Sequence, residues 1–242
     1  MDDSHRQTTI HFCVYKKLSS TPWALESPSS EMKGLPILIG ICGASGSGKS
    51  YLSEKLSLEL RQSYGHLSIE QFSLDRYYLG AEEKTSAERA KHNFDHPDEI
   101  DYTLFEEHLT RLQAGQRVPV PNYDYARSCR TEKVDWVEPC SVLLLDGLHL
   151  YYKESIRNLF SLKIFVDTPL PLCEQRRVER DVLERGQSEE VVREQYKNNV
   201  IPMYEAFIKP VMDRADMVVS GDHEASVNIR LLWQRLAPLL NQ

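Results

Sequence analysis

The sequence predicts an α/β fold in which helices cover both faces of a parallel sheet. Short apolar segments rich in β-branched residues alternate with segments that have the spacing of amphipathic helices. The first apolar segment leads into the glycine-rich stretch 43–50 (GASGSGKS), and a helical pattern follows directly. A later apolar segment, 142–145, is followed directly by Asp146. Strand, glycine loop and helix in this order give the context that a phosphate-binding loop (P-loop) requires.

Composition limits the classes of partner. The chain has 242 residues, of which 41% are hydrophobic and 27% charged, as in a globular protein. A net charge of −7 argues against a large basic surface, so we expect no nucleic-acid partner. No apolar run approaches the ~18 residues of a membrane span, so we expect no membrane partner. Five cysteines, an odd number without a C-x-x-C pair, indicate a reducing, cytoplasmic location.

The individual elements follow from the same alternation. Five segments are predicted to be buried strands, namely 36–42, 67–72, 141–145, 162–166 and 217–220. Six segments are predicted to be helices, namely 49–63, 102–112, 153–160, 170–184, 189–198 and 225–240, with a further turn or two before residue 213.

Two regions depart from this rhythm. Segments 118–125 and 131–137 are extended, and Pro119 and Pro121 exclude a central strand, so a peripheral β-hairpin is predicted. Residues 1–34 are rich in Ser and Thr and lack a hydrophobic period, which predicts a disordered extension before a single domain at 35–242. A blander alternative is that translation begins at Met32.

The P-loop residues have direct chemical roles in this interpretation. The glycines let the backbone wrap a phosphate, and the following helix N-terminus adds free N–H groups. Lys49 would neutralise the β- and γ-phosphates, and the Ser50 hydroxyl would hold Mg²⁺. The predicted ATP-binding residues of the loop are Gly43, Ala44, Ser45, Gly46, Ser47, Gly48, Lys49 and Ser50.

Two carboxylates at strand ends are candidates for the chemistry. Asp75 follows the second strand, where a side chain points into the ligand crevice of a parallel sheet. It could accept the proton of an attacking hydroxyl, or it could only cap a turn. Asp146 ends the apolar run 142–145 and matches the Walker B carboxylate that assists Mg²⁺ binding, whereas the alternative is a turn residue.

Two polar stretches remain ambiguous from residue types alone. The stretch 176–186 is rich in arginine and suits a lid over a transferring phosphoryl group, although its interleaved acidic residues favour a solvated, salt-bridged face. An apolar stripe of Leu172, Val178, Val182 and Leu183 would pack this helix. The stretch 93–98 (NFDHPD) matches no ordinary metal spacing and reads as a polar loop.

Taken in order, these motifs resemble one known family. GASGSGKS, LDRYY, NFDHPD, VPNYDYARSCR, LLLDG and RRVERDVLERG, with EQYKNNVIPMYEAFIKP, are similar to the uridine kinase (uridine–cytidine kinase) family over residues 35 to about 220. The resemblance implies a nucleoside/nucleotide kinase-like P-loop NTPase fold with a peripheral hairpin and a helical lid. It implies transfer of the ATP γ-phosphate, with Mg²⁺, to the 5′-hydroxyl of uridine or cytidine, and tetramers are common in the family.

The resemblance also implies roles for particular residues. Asp75 takes the position of the general base, and Asp95 that of the carboxylate that holds the ribose hydroxyls. The remaining positions are Tyr123 and Tyr125 beside the base, Arg177 and Gln195 on the substrate side, and Arg180 and Arg185 near the phosphates.

Three positions depart from the family pattern. Ser128 stands where the family usually has a base-reading His, Gln187 where it has a substrate-contacting Arg, and Asp146 where it commonly has Glu. The first two departures leave the identity of the phosphoryl acceptor undecided, so a kinase of another sugar- or pantothenate-like alcohol is the alternative. A regulator that binds nucleotide without turnover is a second alternative, against which Lys49, Ser50, Asp75 and Asp146 together argue.

Overall fold

The computed structural model describes residues 35–241 except 82–84, 86–87 and 89–91. The proposed extension 1–34 and the alternative start at Met32 therefore lie outside the described residues. Five strands form a parallel sheet in the order β2-β5-β1-β6-β7. Their bounds are Ile37–Gly43 (β1), Ile69–Ser73 (β2), Val142–Gly147 (β5), Leu162–Asp167 (β6) and Met217–Ser220 (β7). The predicted parallel sheet is confirmed.

Helices cover both faces of this sheet. They are Lys49–Ser63 (α1), Tyr102–Gln113 (α2), Glu154–Arg157 (α3), Leu170–Arg185 (α4), Glu189–Gln195 (α5), Ile201–Met203 (α6) and Ala225–Leu240 (α7). Alternate residues of β1 enter opposite cores. Ile39 and Ile41 pack with α1 and α7, whereas Leu38 and Cys42 pack with α2 and the β-hairpin.

The hairpin consists of Val118–Asp124 (β3) and Cys129–Val137 (β4), paired antiparallel as a separate two-stranded sheet. Arginine side chains attach it to the turn that follows β2. Arg76 Nε donates to the carbonyl of Pro121 at 2.6 Å, and Arg130 donates to the carbonyls of Tyr77 (2.7 Å) and Tyr78 (2.8 Å). The hairpin is thus peripheral, as predicted, and held beside the carboxyl edge of the sheet.

Several sequence expectations are wrong in detail. The helix predicted at 153–160 covers only Glu154–Arg157, and the helix predicted at 189–198 is α-helical only to Gln195 before it passes into π-helix at Tyr196–Val200. Strand β7 lies at the sheet edge, so Val218 is 51% exposed rather than buried. None of the helices in the described ranges has the length and apolar character needed to cross a membrane.

The predicted apolar stripe of α4 is also wrong. Val178 is buried, but Val182 and Leu183 are exposed. The inward face of the helix instead carries Arg177 and Asp181. A polar face turned inward needs partners, and those partners define part of the site described below.

Candidate active site

The P-loop has a left-handed backbone at two positions and a close contact with α4, and both features favour glycine. Gly46 and Gly48 have φ values of 81° and 91°, in the left-handed region. A Cβ on Gly46 would also overlap the carbonyl oxygen of Cys173 at the start of α4. The loop therefore packs directly against the arginine-bearing helix, and α1 begins at Lys49 with its N-terminus towards the loop.

The sheet register brings the first carboxylate next to the loop. Asp146 is the last residue but one of β5 and lies opposite Ile41 of β1 and Ser73 of β2. The Ser50 hydroxyl donates to Asp146 Oδ1 at 2.7 Å, and the Ser73 hydroxyl lies 3.3 Å from the same oxygen. Ser50 and Asp146, the two predicted metal ligands, are therefore in direct contact.

The buried, acidic surroundings of Asp146 are suited to a bound cation. Asp146 is buried, and burial together with the nearby charge of Asp75 raises its pKa to about 6. The described residues contain no group of three or more His, Cys, Asp or Glu side chains arranged around a metal site. Magnesium suits such a place, because it is often held by one or two protein oxygens together with substrate phosphates.

Asp75 lies in a short 3₁₀ turn, Leu74–Tyr77, directly after β2. Its own backbone N–H donates to the Ser73 hydroxyl at 3.2 Å, so Ser73 is the residue that caps this turn. The Asp75 carboxylate instead accepts from the backbone N–H of Leu148 at 3.3 Å and faces a cavity. This geometry removes the main reason for interpreting Asp75 as a capping residue.

That cavity has a volume of about 440 Å³ and brings most of the predicted site residues together. Among its lining residues are Ser45, Lys49, Asp75, Asp95, Tyr123, Tyr125, Arg177, Arg180, Arg185 and Gln195. The remaining predicted residues, Gly43, Ala44, Gly46, Ser47, Gly48, Ser50 and Asp146, do not line it and belong to the P-loop and the strand edge beside it.

Asp95 occupies one wall of the cavity and is ion-paired rather than solvated. Arg177 donates to both of its carboxylate oxygens, at 2.8 and 3.2 Å. Burial acts to raise the pKa of Asp95, but Arg177 holds that pKa below its ordinary value. Arg177 Nη1 also donates to the Ser45 hydroxyl at 3.1 Å, so one guanidinium links the P-loop to the 93–98 loop.

Aromatic rings form the wall contributed by the hairpin. The ring centroids of Tyr123 and Tyr125 are 5.1 Å apart, and Tyr78 packs against Tyr123 at 5.6 Å. The guanidinium of Arg185 lies over the Tyr125 ring at 4.8 Å. A flat, partly polar group is the kind of ligand that such a wall accommodates.

Sequence reasoning missed two features of the site. The first is Asp181, a buried carboxylate within the arginine-rich helix that the charge pattern assigned to a solvated face. The second is another cavity of about 270 Å³ beside the P-loop, lined by Gly48, Tyr51, Arg176, His223 and Asn228 among others. Its far wall, residues 221–228, carries no motif that the sequence would reveal.

Fold and site together define a P-loop phosphotransferase. The comparison with known families is more specific. The chain belongs to the phosphoribulokinase/uridine kinase family, whose model matches residues 38–227. The resemblance seen in the sequence is thereby confirmed.

Individual relatives agree with this assignment. The chain is 40% identical over 204 residues to the uridine kinase of Aliivibrio salmonicida (strain LFI1238), covering 84% of this chain and 95% of that protein. It is 40% identical over 201 residues to the uridine kinase of Pectobacterium atrosepticum, covering 83% and 94%. A solved structure described as a possible uridine kinase from Bacillus stearothermophilus has a TM-score of 0.56 at 18% identity, covering 78% and 91%, and shows the same fold.

Proposed function

We propose that this chain transfers the γ-phosphate of ATP to the 5′-hydroxyl of a nucleoside, most directly uridine or cytidine, to give UMP or CMP. The observation that carries the proposal is the convergence of Lys49, Asp75 and Asp95 on one cavity with an aromatic wall. The uridine kinases that are 40% identical to this chain over 204 and 201 aligned residues support phosphorylation of a nucleoside.

Asp75 and Asp95 divide the acceptor side between them in this proposal. Asp75, tethered by the Leu148 amide, orients the acceptor hydroxyl and takes its proton. Asp95 accepts hydrogen bonds from the two ribose hydroxyls. Arg177 occupies only part of its capacity, because two carboxylate oxygens offer about four lone-pair sites.

The donor side uses the P-loop and the second cavity. Lys49 and the backbone amides of the loop bind the phosphates, while Arg180 and Arg185 approach from the lid helix. The cavity beside Gly48 lies next to the same loop, so we assign it to the base and ribose of the donor nucleotide. Ser50 and Asp146 would hold Mg²⁺, which supplies charge neutralisation for the β- and γ-phosphates.

Base recognition rests on neutral groups in this chain. Ser128 and Gln187, two of the three departures from the family pattern, both line the acceptor cavity. The Gln187 Oε1 atom is buried and has no hydrogen-bond partner among the described residues. Arg130 cannot replace the missing His, because its guanidinium is bound to Asp101 and to two backbone carbonyls. We therefore propose weaker discrimination among bases than a charged contact would give.

ADP release measured against a panel of acceptors tests this proposal. The panel contains uridine, cytidine, adenosine, guanosine, a hexose and pantothenate. We expect the highest kcat/KM for uridine or cytidine. A higher value for the hexose or pantothenate would favour the alternative alcohol kinase, and absence of acceptor-dependent ADP release would favour a nucleotide-binding regulator. A cytoplasmic location and a tetrameric assembly remain predictions.

A further inference from the structure

One buried carboxylate of α4 contacts three arginines. Asp181 is 1% exposed, and its oxygens lie 2.8 Å from Arg180 Nε, 3.2 Å from Arg185 Nε and 3.4 Å from Arg177 Nε. The neighbouring acidic residue Glu184 is exposed. Asp181 therefore differs from the solvated face that its sequence neighbours suggest.

The charges in this cluster do not cancel. Arg177 is already paired with Asp95, so Arg180 and Arg185 share the single charge of Asp181. Burial, and then the neighbouring charge of Arg180, lower the pKa of Arg185. Both arginines line the acceptor cavity, and one positive charge there is left without an acidic partner in the cluster. An anionic group that entered the cavity would supply the negative charge that balances it.

The shared carboxylate of Asp181 also fixes the orientation of the arginine side chains. Arginine side chains have many rotamers, and two adjacent guanidinium groups repel each other unless a carboxylate lies between them. The backbone carbonyl of Asp181 makes separate contacts, accepting from the amides of Gly186 and Gln187 where the helix ends. Replacing Asp181 by Asn thus removes the negative charge that the arginines share, while leaving the helix end its own hydrogen bonds.

We propose that Asp181 is a positioning residue for phosphoryl transfer. Its carboxylate holds Arg180 and Arg185 towards the cavity and supports Arg177 against Asp95 and Ser45. The inference rests on the proposed function, since it assumes that the arginines meet the phosphates. Asp181 itself acts only through the arginines.

The first experiment compares Asp181→Asn with Glu184→Gln, which also changes one carboxylate of α4 to an amide, but at an exposed position. For Asp181→Asn we expect kcat/KM to fall roughly tenfold or more, the scale of a lost charge-assisted hydrogen bond. Glu184→Gln should match the wild type. Equal activity of all three proteins would overturn the proposal.

A double-mutant cycle separates positioning from plain stability. In an Arg180→Gln/Arg185→Gln background two of the three arginines that Asp181 contacts are gone, so Asp181→Asn should cost much less activity than it does in the wild type. An undiminished loss in that background would show that Asp181 acts on the fold and would overturn the proposal. If Asp181→Asn alone does not fold, the double variant Asp181→Asn/Arg185→Gln takes its place in the cycle, because it removes one negative and one positive charge together. Its activity is then compared with that of Arg185→Gln.

Binding of the non-hydrolysable analogue AMP-PNP, measured by calorimetry, gives a readout that needs no acceptor. We expect Asp181→Asn to weaken that binding about tenfold relative to Glu184→Gln, whereas equal affinities would contradict the proposal. A wild-type protein that phosphorylates no nucleoside would refute the proposed function alone, because the AMP-PNP comparison would still decide the role of Asp181.

Discussion

At the residue scale, the proposed function separates side chains that would act on phosphate from side chains that would act on the acceptor. Lys49 follows the glycine loop and is buried at the start of α1, and in our proposal its charge acts on a ligand phosphate. Asp75 faces the same cavity from the turn that follows β2. A carboxylate held by a backbone amide has a fixed direction, which is what proton abstraction from one particular hydroxyl requires.

The Asp75→Asn substitution tests this division directly. The amide keeps the shape of the side chain but cannot take a proton. We expect kcat to fall by roughly 10²-fold or more, the scale of general-base effects, with little change in the affinity for ATP. Steady-state kinetics with both substrates varied measure the two effects. Asp213→Asn, an exposed change on the segment before β7, serves as the control. A near-native kcat would leave Asp75 with no role beyond its turn.

At the element scale, the P-loop packs directly against α4, the helix that carries the arginines. Gly46 makes this contact possible, because any side chain there would meet the backbone at Cys173. Thr168, just before α4, donates from its hydroxyl to the Ser47 carbonyl at 2.9 Å and closes the same junction. The position of α4 relative to the P-loop therefore depends on residues outside the arginine-rich stretch.

The Gly46→Ala substitution should displace α4 and reduce both activity and the thermal midpoint. Gly115→Ala is the matched control, because Gly115 also has a positive φ, 75°, but no atom of the described residues lies within 4 Å of where its Cβ would stand. Gly115→Ala should cost only the strain of a left-handed backbone, about 1–2 kcal/mol, with activity retained. Thermal unfolding and ADP release distinguish the two. Similar behaviour of both variants would show that the close approach to α4 is unimportant.

A buried histidine makes the packing of α2 dependent on pH. Burial lowers the pKa of His108 to about 4, and the Tyr77 hydroxyl lies 2.8 Å from its Nδ1 atom. An unfolded chain protonates its histidines near pH 6.5, so it takes up this proton at a higher pH than the folded protein does. The contribution of neutral His108 to stability is thus complete above about pH 6.5 and is lost as the pH falls towards 4.

The His108→Asn variant should show a flatter decrease of unfolding free energy between pH 6.5 and pH 4 than the wild type. Asn keeps an acceptor for the Tyr77 hydroxyl and does not titrate in this range. Urea unfolding at several pH values measures the slope, and the exposed His66→Asn variant is the control. The same slope in His108→Asn and the wild type would place the acid sensitivity elsewhere.

At the scale of the whole molecule, the sequence predicts what depends on local patterns. Alternation of strand and helix suffices for the sheet, and the spacing of 43–50 with the run before Asp146 suffices for the P-loop edge. Burial of charged residues is different, because it depends on which faces meet. Asp181 and Glu184 look alike in the sequence, yet one is enclosed and the other exposed. The second cavity is likewise formed by segments distant along the chain.

The most direct test of the central claim is the identity of the product formed from ATP and uridine. ³¹P NMR and mass spectrometry determine which atom carries the transferred phosphate. We predict UMP phosphorylated at the 5′ oxygen, with one ADP for each UMP, and no product from a folded Lys49→Met variant. ADP release without a phosphorylated nucleoside, phosphate on the 2′ or 3′ oxygen, or equal turnover by Lys49→Met would contradict the account.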